Sequence, residues 1–510
     1  MNTHDNLAQL IEHTCKTYAS LPAYNSDNKT ITYAQVEQQS RYLAQWFQQL
    51  SGLVTGDRIA IQLPNIVDYP IVTYAAFRAG LIVVNTNPLY TAREMLHQFN
   101  DAGVKAVVIL DALTDKLATI IDGTSLETVI VAAAVAEPTL QEGQFSLNEL
   151  IRLGERLAPL NAHHASRDDI AVLQYTGGTT GIAKAAMLSH GNILANAEQM
   201  NERFDDILKL GVETGICPLP LYHIYAFTVN MVGLFAMGQF NVLIPNPRDL
   251  DALVKQIEPF EINYFLGINT LFIGLCMHPR FKALNFSNLK MTVSGAALTH
   301  AAADAWMSTT GCTITEGYGL SETSPVATLN DFKKEEIGSI GRPLSNTTVE
   351  IWDENDEPVA DGESGEIVVK GPQVMMGYWQ RQDETDKCMK HGFFKTGDVG
   401  LKLPSGNYKI IDRLKDMIIV SGFNVYPNEV ENVLCQHPAI CEAAVIGAKD
   451  EKTGERVCAY ITLKEHIDEQ QVSDYCRENL SAYKVPKSII FMEELPKSTV
   501  GKILRRELRQ

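Results

Sequence analysis

Short apolar runs punctuate the first part of the chain, at 58–62, 106–110, 128–131, 241–244, 263–266 and 291–294. Between them lie stretches with apolar residues at helical spacing, such as 33–50 and 92–102. Strands that alternate with helices predict a parallel sheet layered by helices, an α/β fold. After Gly338 the texture changes to polar–apolar alternation, at 349–352, 365–369 and 408–411, broken by Gly and Asp turns. That pattern predicts an antiparallel β subdomain with one solvated face. Residues 214–247 contain no Asp, Glu, Lys or Arg, and 221–245 is long enough to cross a bilayer. The same stretch carries His223, Asn230, Gln239 and Asn241 between Pro218, Pro220 and Pro245, so it predicts a buried helix followed by a buried strand at 240–244.

Length bounds this picture: 510 residues allow two to four domains, or a large body with a smaller appendage. With 43 Lys+Arg against 61 Asp+Glu the net charge is −18, which argues against nucleic acid as a partner because phosphate backbones need a basic surface. The charge is unevenly placed. Residues 413–510 carry 14 basic and 15 acidic side chains, so the acidity belongs to the first 412 residues, and 482–510 is locally positive with 7 basic against 3 acidic. A solvated basic face explains that tail, and so does a tail that visits a polyphosphate. Nine cysteines without a CxxC pair, and a polar N-terminal stretch, point to a reducing cytoplasm.

The first chemistry-bearing motif is Gln174-Tyr-Thr-Gly-Gly-Thr-Thr-Gly-Ile-Ala-Lys184, which follows an apolar run and precedes a helical pattern from about Asn192. Glycines free backbone N–H groups to face an anion, hydroxyls add donors and a lysine adds charge, so the loop suits phosphate. It is not a Walker loop: Lys184 lies three residues after Gly181 and is followed by Ala185 rather than Ser or Thr.

This loop resembles that of the adenylate-forming superfamily, which includes acyl-CoA synthetases, luciferase and adenylation domains. The other motifs of the family follow in order: Pro220-Leu-Tyr-His223, Ser294-Gly-Ala-Ala-Leu298, Glu316-Gly-Tyr-Gly-Leu-Ser-Glu-Thr323, Thr396-Gly-Asp398, Asp412-Arg-Leu-Lys-Asp416, Ser421-Gly-Phe-Asn-Val-Tyr-Pro427 and Pro496-Lys-Ser-Thr-Val-Gly-Lys502. The wording, with Asn-Pro-Leu-Tyr at 87–90, is most similar to bacterial long-chain fatty acyl-CoA ligases.

The resemblance implies a large N-terminal domain of layered sheets and helices, residues 1–412 with the β subdomain at about 338–411. A small mobile α+β domain at 413–510 would turn about a hinge at Asp412. It implies ATP, Mg²⁺ and coenzyme A as cofactors, with nucleotide contacts at Thr176, Gly177, Gly178, Thr179, Thr180, Gly181, Lys184, Gly295, Ala296, Glu316, Gly317, Tyr318, Gly319 and Ser321. Asp398, assisted by Arg413, would hold the ribose, and Thr179 with Glu322 would hold Mg²⁺, a hard cation that needs only one or two protein oxygens. Lys184, His223, Glu322 and Lys502 carry the catalytic assignments, Lys502 reaching the α-phosphate and the acyl carboxylate. Taken singly, each has an ordinary reading: a capping carboxylate for Glu322, a core aromatic for Tyr318, a buried histidine for His223, a flexible-tail lysine for Lys502.

For the second step the family uses the turn Ser421, Gly422, Phe423 and Asn424 beside the pantetheine. Tyr222, Phe227, Met231, Met237 and Gly267 would line the acyl pocket, although core packing explains the same residues as well. The expected activity is ligation of a fatty acid to CoA through acyl-AMP. An aryl or specialised acid, a carrier-protein thiol as acceptor, and a nucleotide-binding sensor stay open. Family dimers through the large domain admit a homodimer, and acids that partition into lipid admit peripheral membrane contact, though no amphipathic basic helix announces it. Two departures stand out. Ala185 replaces a glycine and would strain the loop if its φ must be positive, and the stretch 114–146 is shorter than in long-chain members.

Overall fold

The structure is a computed structural model that describes residues 4–27, 29–133, 138–161, 164–176, 183–295, 298–421, 423–450, 452–498 and 503–509. Two compact units divide the chain: Met1–Thr348 with Lys370–Met389, and Val349–Val369 with Lys390–Gln510.

The first unit holds two sheets among its described residues. One has seven strands in the order Gln144–Ser146, Thr128–Ala132, Val104–Leu110, Arg58–Gln62, Ile82–Asn85, Ile170–Thr176, Lys184–Ser189, parallel except for the last pairing. Ile59, Ala60 and Ile61 are all fully buried, so both faces of the sheet are covered and the strand reads as a continuous apolar run. The other has nine strands, and its central parallel members are Phe240–Leu243, Thr214–Cys217, Tyr264–Gly267, Met291–Ser294 and Ile314–Gly319. Trp306 anchors the core behind it, with the rings of Phe265, Phe272 and Phe281 at 5.3, 4.8 and 5.6 Å.

Helices begin where local chemistry satisfies their first N–H groups. Reciprocal capping boxes join Thr32 to Gln35 ahead of Tyr33–Gln49, Thr91 to Glu94 ahead of Ala92–Ala102, and Ser189 to Asn192 ahead of His190–Phe204. Each cap contributes about 1 kcal/mol.

The charge-free segment folds as a short helix, Ile224–Ala226, a π-helix, Phe227–Leu234, and the strand Phe240–Leu243. Tyrosine hydroxyls meet carbonyls of the π-helix and of the residues that follow it. Tyr74 and Tyr24 donate to the Met231 carbonyl at 2.5 and 3.3 Å, and Tyr33 donates to those of Phe235 and Gln239 at 3.1 and 2.7 Å. Among the described residues, no helix is long and apolar enough to cross a membrane.

The second unit contains two five-stranded sheets among its described residues. In one, Ser364–Lys370, Phe393–Lys402 and Tyr408–Arg413 run antiparallel, as the alternation predicts. In the other, Ile440–Asp450 and Gly454–Leu463 form a long hairpin flanked by the helices Pro427–Gln436 and Glu469–Asn479. This partition does not fall at 412/413: the strands of the β subdomain group with the C-terminal residues. A polar junction spans that point within the unit. The buried Asp412 carboxylate accepts the N–H groups of Arg413 and Asn428 at 2.7 and 2.6 Å and lies 3.4 Å from the Arg505 guanidinium. Arg505 also meets Glu431 at 2.7 Å and Asp416 at 3.3 Å. Removing one partner of such a largely buried network strands the others. Arg505→Ala should therefore destabilise this unit by about 3 kcal/mol in denaturant unfolding, and an unchanged midpoint would show that the junction is solvated in effect.

Candidate functional site

Residues 177–182 lie outside the described residues, so Gly177, Gly178, Thr179, Thr180 and Gly181 have no structural account; their flanks do. Thr176 and Lys184 are paired across the antiparallel ladder of Ile170–Thr176 with Lys184–Ser189. Ala185 pairs with Tyr175 and is buried, and its φ is not positive. The methyl group therefore strains nothing at that position.

The outer edge of Lys184–Ser189 is covered by residues 376–379. Met376 and Trp379 donate backbone N–H groups to Met187 and Ala185 at 3.0 and 2.8 Å, and Tyr378 bridges to Ala186. This seats the Tyr378 ring beside Lys184, whose ammonium lies 5.2 Å from the ring centroid. The Tyr378 hydroxyl donates to Glu322 Oε1 at 2.8 Å, and the Glu322 carbonyl accepts from Met375 N at 2.8 Å. Burial and the neighbouring Glu322 push the Tyr378 phenol well above its ordinary pKa, so it stays a donor. Glu322 is thus a buried, oriented carboxylate on the turn Ser321–Thr323 and not a surface cap. Lys184 itself is bonded to the carboxylate of Glu384. Sequence reasoning missed both Tyr378 and Glu384, since neither stands in a motif that carries charge at a telling spacing.

Glu316, Gly317, Tyr318 and Gly319 occupy the strand Ile314–Gly319, antiparallel to Val326–Leu329. A Cβ at Gly319 would lie 1.8 Å from the Pro325 carbonyl oxygen, so close backbone approach demands glycine there. A Cβ at Gly295 would strike the Tyr225 ring at 2.3 Å. Ala296 lies outside the described residues. Glu316 is spoken for by the backbone: its two oxygens accept from Leu298 N at 3.0 Å and Gly338 N at 2.8 Å, stapling those loops to the strand. Burial nonetheless pushes its carboxyl up to about 7, against the pull of both N–H groups.

His223 caps the short helix Ile224–Ala226, its Nδ1 accepting from Tyr225 N at 3.3 Å. Tyr222 is half-buried beside it. Phe227, Met231 and Met237 are buried, Phe227 edge-on to Phe77 at 6.4 Å. Gly267 leaves room for the Phe272 ring, 2.9 Å from where its Cβ would be. The Tyr225 hydroxyl is buried with no hydrogen-bond partner among the described residues, the kind of polar atom that water or a ligand completes.

In the second unit Asp398 and Arg413 are cross-strand partners, with Arg413 Nε 2.8 Å from Asp398 Oδ1. Gly397 stands not in a turn but within the strand Phe393–Lys402, where its positive φ, 72°, falls at a register irregularity just before Asp398. Ser421, also left-handed at φ 52°, is held by its N–H to the Thr453 carbonyl at 2.8 Å. Phe423 is exposed and stacked on Tyr483 at 5.0 Å, and Asn424 is exposed. Gly422 and Lys502 lie outside the described residues.

Layered parallel sheets thus carry a lysine at the end of the ladder that flanks the glycine loop and, across Tyr378, a buried glutamate. The AMP-binding enzyme family matches residues 11–379, and its C-terminal domain matches 429–502; the chain belongs to this family. It is 41% identical to a long-chain-fatty-acid–CoA ligase of Escherichia coli O6:H1 over 530 aligned positions, covering 99% of this chain and 94% of the relative. Among solved structures it resembles the anthranilate CoA ligase AuaEII in complex with anthranoyl-AMP, with a TM-score of 0.91, 26% identity and coverage of 100% and 97%. It also resembles ATP-bound MatB from Rhodopseudomonas palustris, with a TM-score of 0.87, 29% identity and coverage of 99% and 98%.

Glu316 makes stability depend on pH. Its folded pKa lies above the unfolded value, so the unfolded chain ionises first and stability falls as pH rises from about 4.5 to 7. Glu316→Gln should flatten that decline, by up to about 3 kcal/mol; melting temperatures of both proteins from pH 5 to 8 check it, and parallel profiles would contradict it.

Proposed function

We propose that this protein is an ATP-dependent fatty acid:CoA ligase, forming acyl-AMP and then acyl-CoA with release of pyrophosphate and AMP. The observation that carries the reading is the identity with a long-chain-fatty-acid–CoA ligase along nearly the whole of both chains. It is supported by Lys184 and Glu322 both meeting Tyr378, one over its ring and the other at its hydroxyl.

In the first half-reaction a carboxylate oxygen attacks the α-phosphorus and pyrophosphate leaves. Both reactants are anions, so the protein's task is to place positive charge and donors in advance. Lys184 and the loop 176–181 meet the phosphates, Tyr318 with Gly295, Ala296 and Gly317 accommodates adenine, and Asp398 accepts the ribose hydroxyls beside Arg413. The Glu322 donor set fits a hard cation: Tyr378 holds one carboxylate oxygen and orients the other. Glu322, with Thr179, would hold Mg²⁺, whose charge offsets that of the phosphates. His223 orients the carboxylate, and Lys502 reaches the α-phosphate and the acyl oxygen.

In the second half-reaction the CoA thiol attacks the acyl carbonyl and AMP leaves. The turn Ser421–Asn424 flanks the pantetheine, and 413–510 rotates about Asp412 between the steps, a gating motion of the kind that can limit turnover. Tyr222, Phe227, Met231, Met237 and Gly267 form the wall for an alkyl chain. We read the enzyme as cytoplasmic, drawing a lipid-partitioned acid at the membrane surface, and as a homodimer through its large domain.

Two measurements test this. Lys502→Ala should abolish ATP–pyrophosphate exchange while leaving thioester formation from supplied acyl-AMP largely intact, and equal loss of both would contradict the division of labour. Exchange across a panel of acids, with CoA and a carrier-protein thiol as acceptors, should peak on fatty acids and on CoA; a peak on aromatic acids would replace the fatty-acid reading with an aryl one.

A further inference from the structure

The cation expected to meet the nucleotide's phosphates is already occupied. Lys184 opens its strand at the mouth of the glycine loop, and the segment paired along that strand's other edge leads into the helix Gln382–Cys388, which carries Glu384 to the lysine. Among the described residues, the Glu384 carboxylate, bonded to it, and the Tyr378 ring face Lys184. Those facing Glu384 are Lys184 and Lys387, the latter at 2.8 Å and shared with Asp383 at 3.7 Å. The bonds from Lys184 and Lys387 hold the Glu384 carboxyl down to about 2, so it is an anion wherever the protein is folded and working. Lys387 leaves the carboxylate a second cation, so Glu384 is not stranded when Lys184 departs.

We propose that Glu384 is an internal competitor of the nucleotide's phosphates: ATP binds by taking Lys184 from the Glu384 carboxylate, and Glu384 thereby sets the affinity for ATP. This rests on the phosphate role assigned to Lys184 above. A carboxylate tethered in the same fold meets the lysine at a high effective concentration, which a free monovalent anion cannot match. A nucleotide with several phosphates and many other contacts displaces it, whereas inorganic phosphate does not. Both side chains of the pair are a little more than a quarter exposed. A screened pair of this kind shifts an equilibrium by a factor of about 2 to 5, enough to tune binding without blocking it.

The test uses the full-length protein and calorimetric titration with a non-hydrolysable ATP analogue, then with inorganic phosphate. Glu384→Gln keeps the shape and removes the charge. It should tighten analogue binding about 2- to 5-fold and make phosphate a measurable competitor. Lys184→Ala should weaken analogue binding, and in that background Glu384→Gln should change nothing. A contact that only tethers the helix predicts the opposite pattern: a lower melting temperature for Glu384→Gln with analogue affinity unchanged or weaker, and that result overturns the proposal. Lys184→Ala with unaltered analogue binding would overturn the phosphate role of Lys184 itself, and the inference with it. Weakened binding in Lys184→Ala beside an inert Glu384→Gln overturns the inference alone.

Discussion

The site depends on the two-sided pairing of the strand Lys184–Ser189. One edge is laddered to Ile170–Thr176, which fixes both ends of the glycine loop; the other takes the backbone of 376–379. Backbone hydrogen bonds on both edges leave this strand no freedom to slip, because a one-residue shift would turn every side chain to the opposite face. Register seats Tyr378 beside Lys184 and leads Glu384 to it, and Glu322 joins them through the Tyr378 hydroxyl.

Charge gives this placement its meaning. The chain is strongly acidic, its proposed ligands are anionic, and every useful cation works against the overall sign. Lys184 is held between an aromatic face and a carboxylate, while Arg505 is spread over Asp412, Asp416 and Glu431. In both places an acidic protein keeps a cation oriented by surrounding it with its own anions. The cost is that the cation must be shared when a ligand arrives.

The π-helix follows a different physical rule. Its side chains, apolar but for Thr228 and Asn230, are all buried and carry no helical stripe, so nothing in their spacing distinguishes π from α geometry. Two tyrosines distant in sequence, Tyr24 and Tyr74, bond the Met231 carbonyl within it, and a third, Tyr33, bonds the carbonyls of Phe235 and Gln239 just beyond. Two of the residues named for an acyl wall, Phe227 and Met231, sit on this segment, and it was their burial, not their geometry, that the chain made legible.

Local sequence determined a great deal. The strands Arg58–Gln62 and Met291–Ser294 and the helix Ala92–Ala102 stand where periodicity places them, because full burial and capping chemistry are both written in consecutive residues. The motif order also carried the family, since glycines that permit close approach, such as Gly319, cannot be replaced without collision. Tertiary structure alone decided which charges meet. Lys184 and Glu384 are 200 positions apart, Glu322 and Tyr378 56, and Asp412 and Arg505 93. Charged residues far apart in the chain leave no periodic trace, and only the folded backbone brings them within bonding distance.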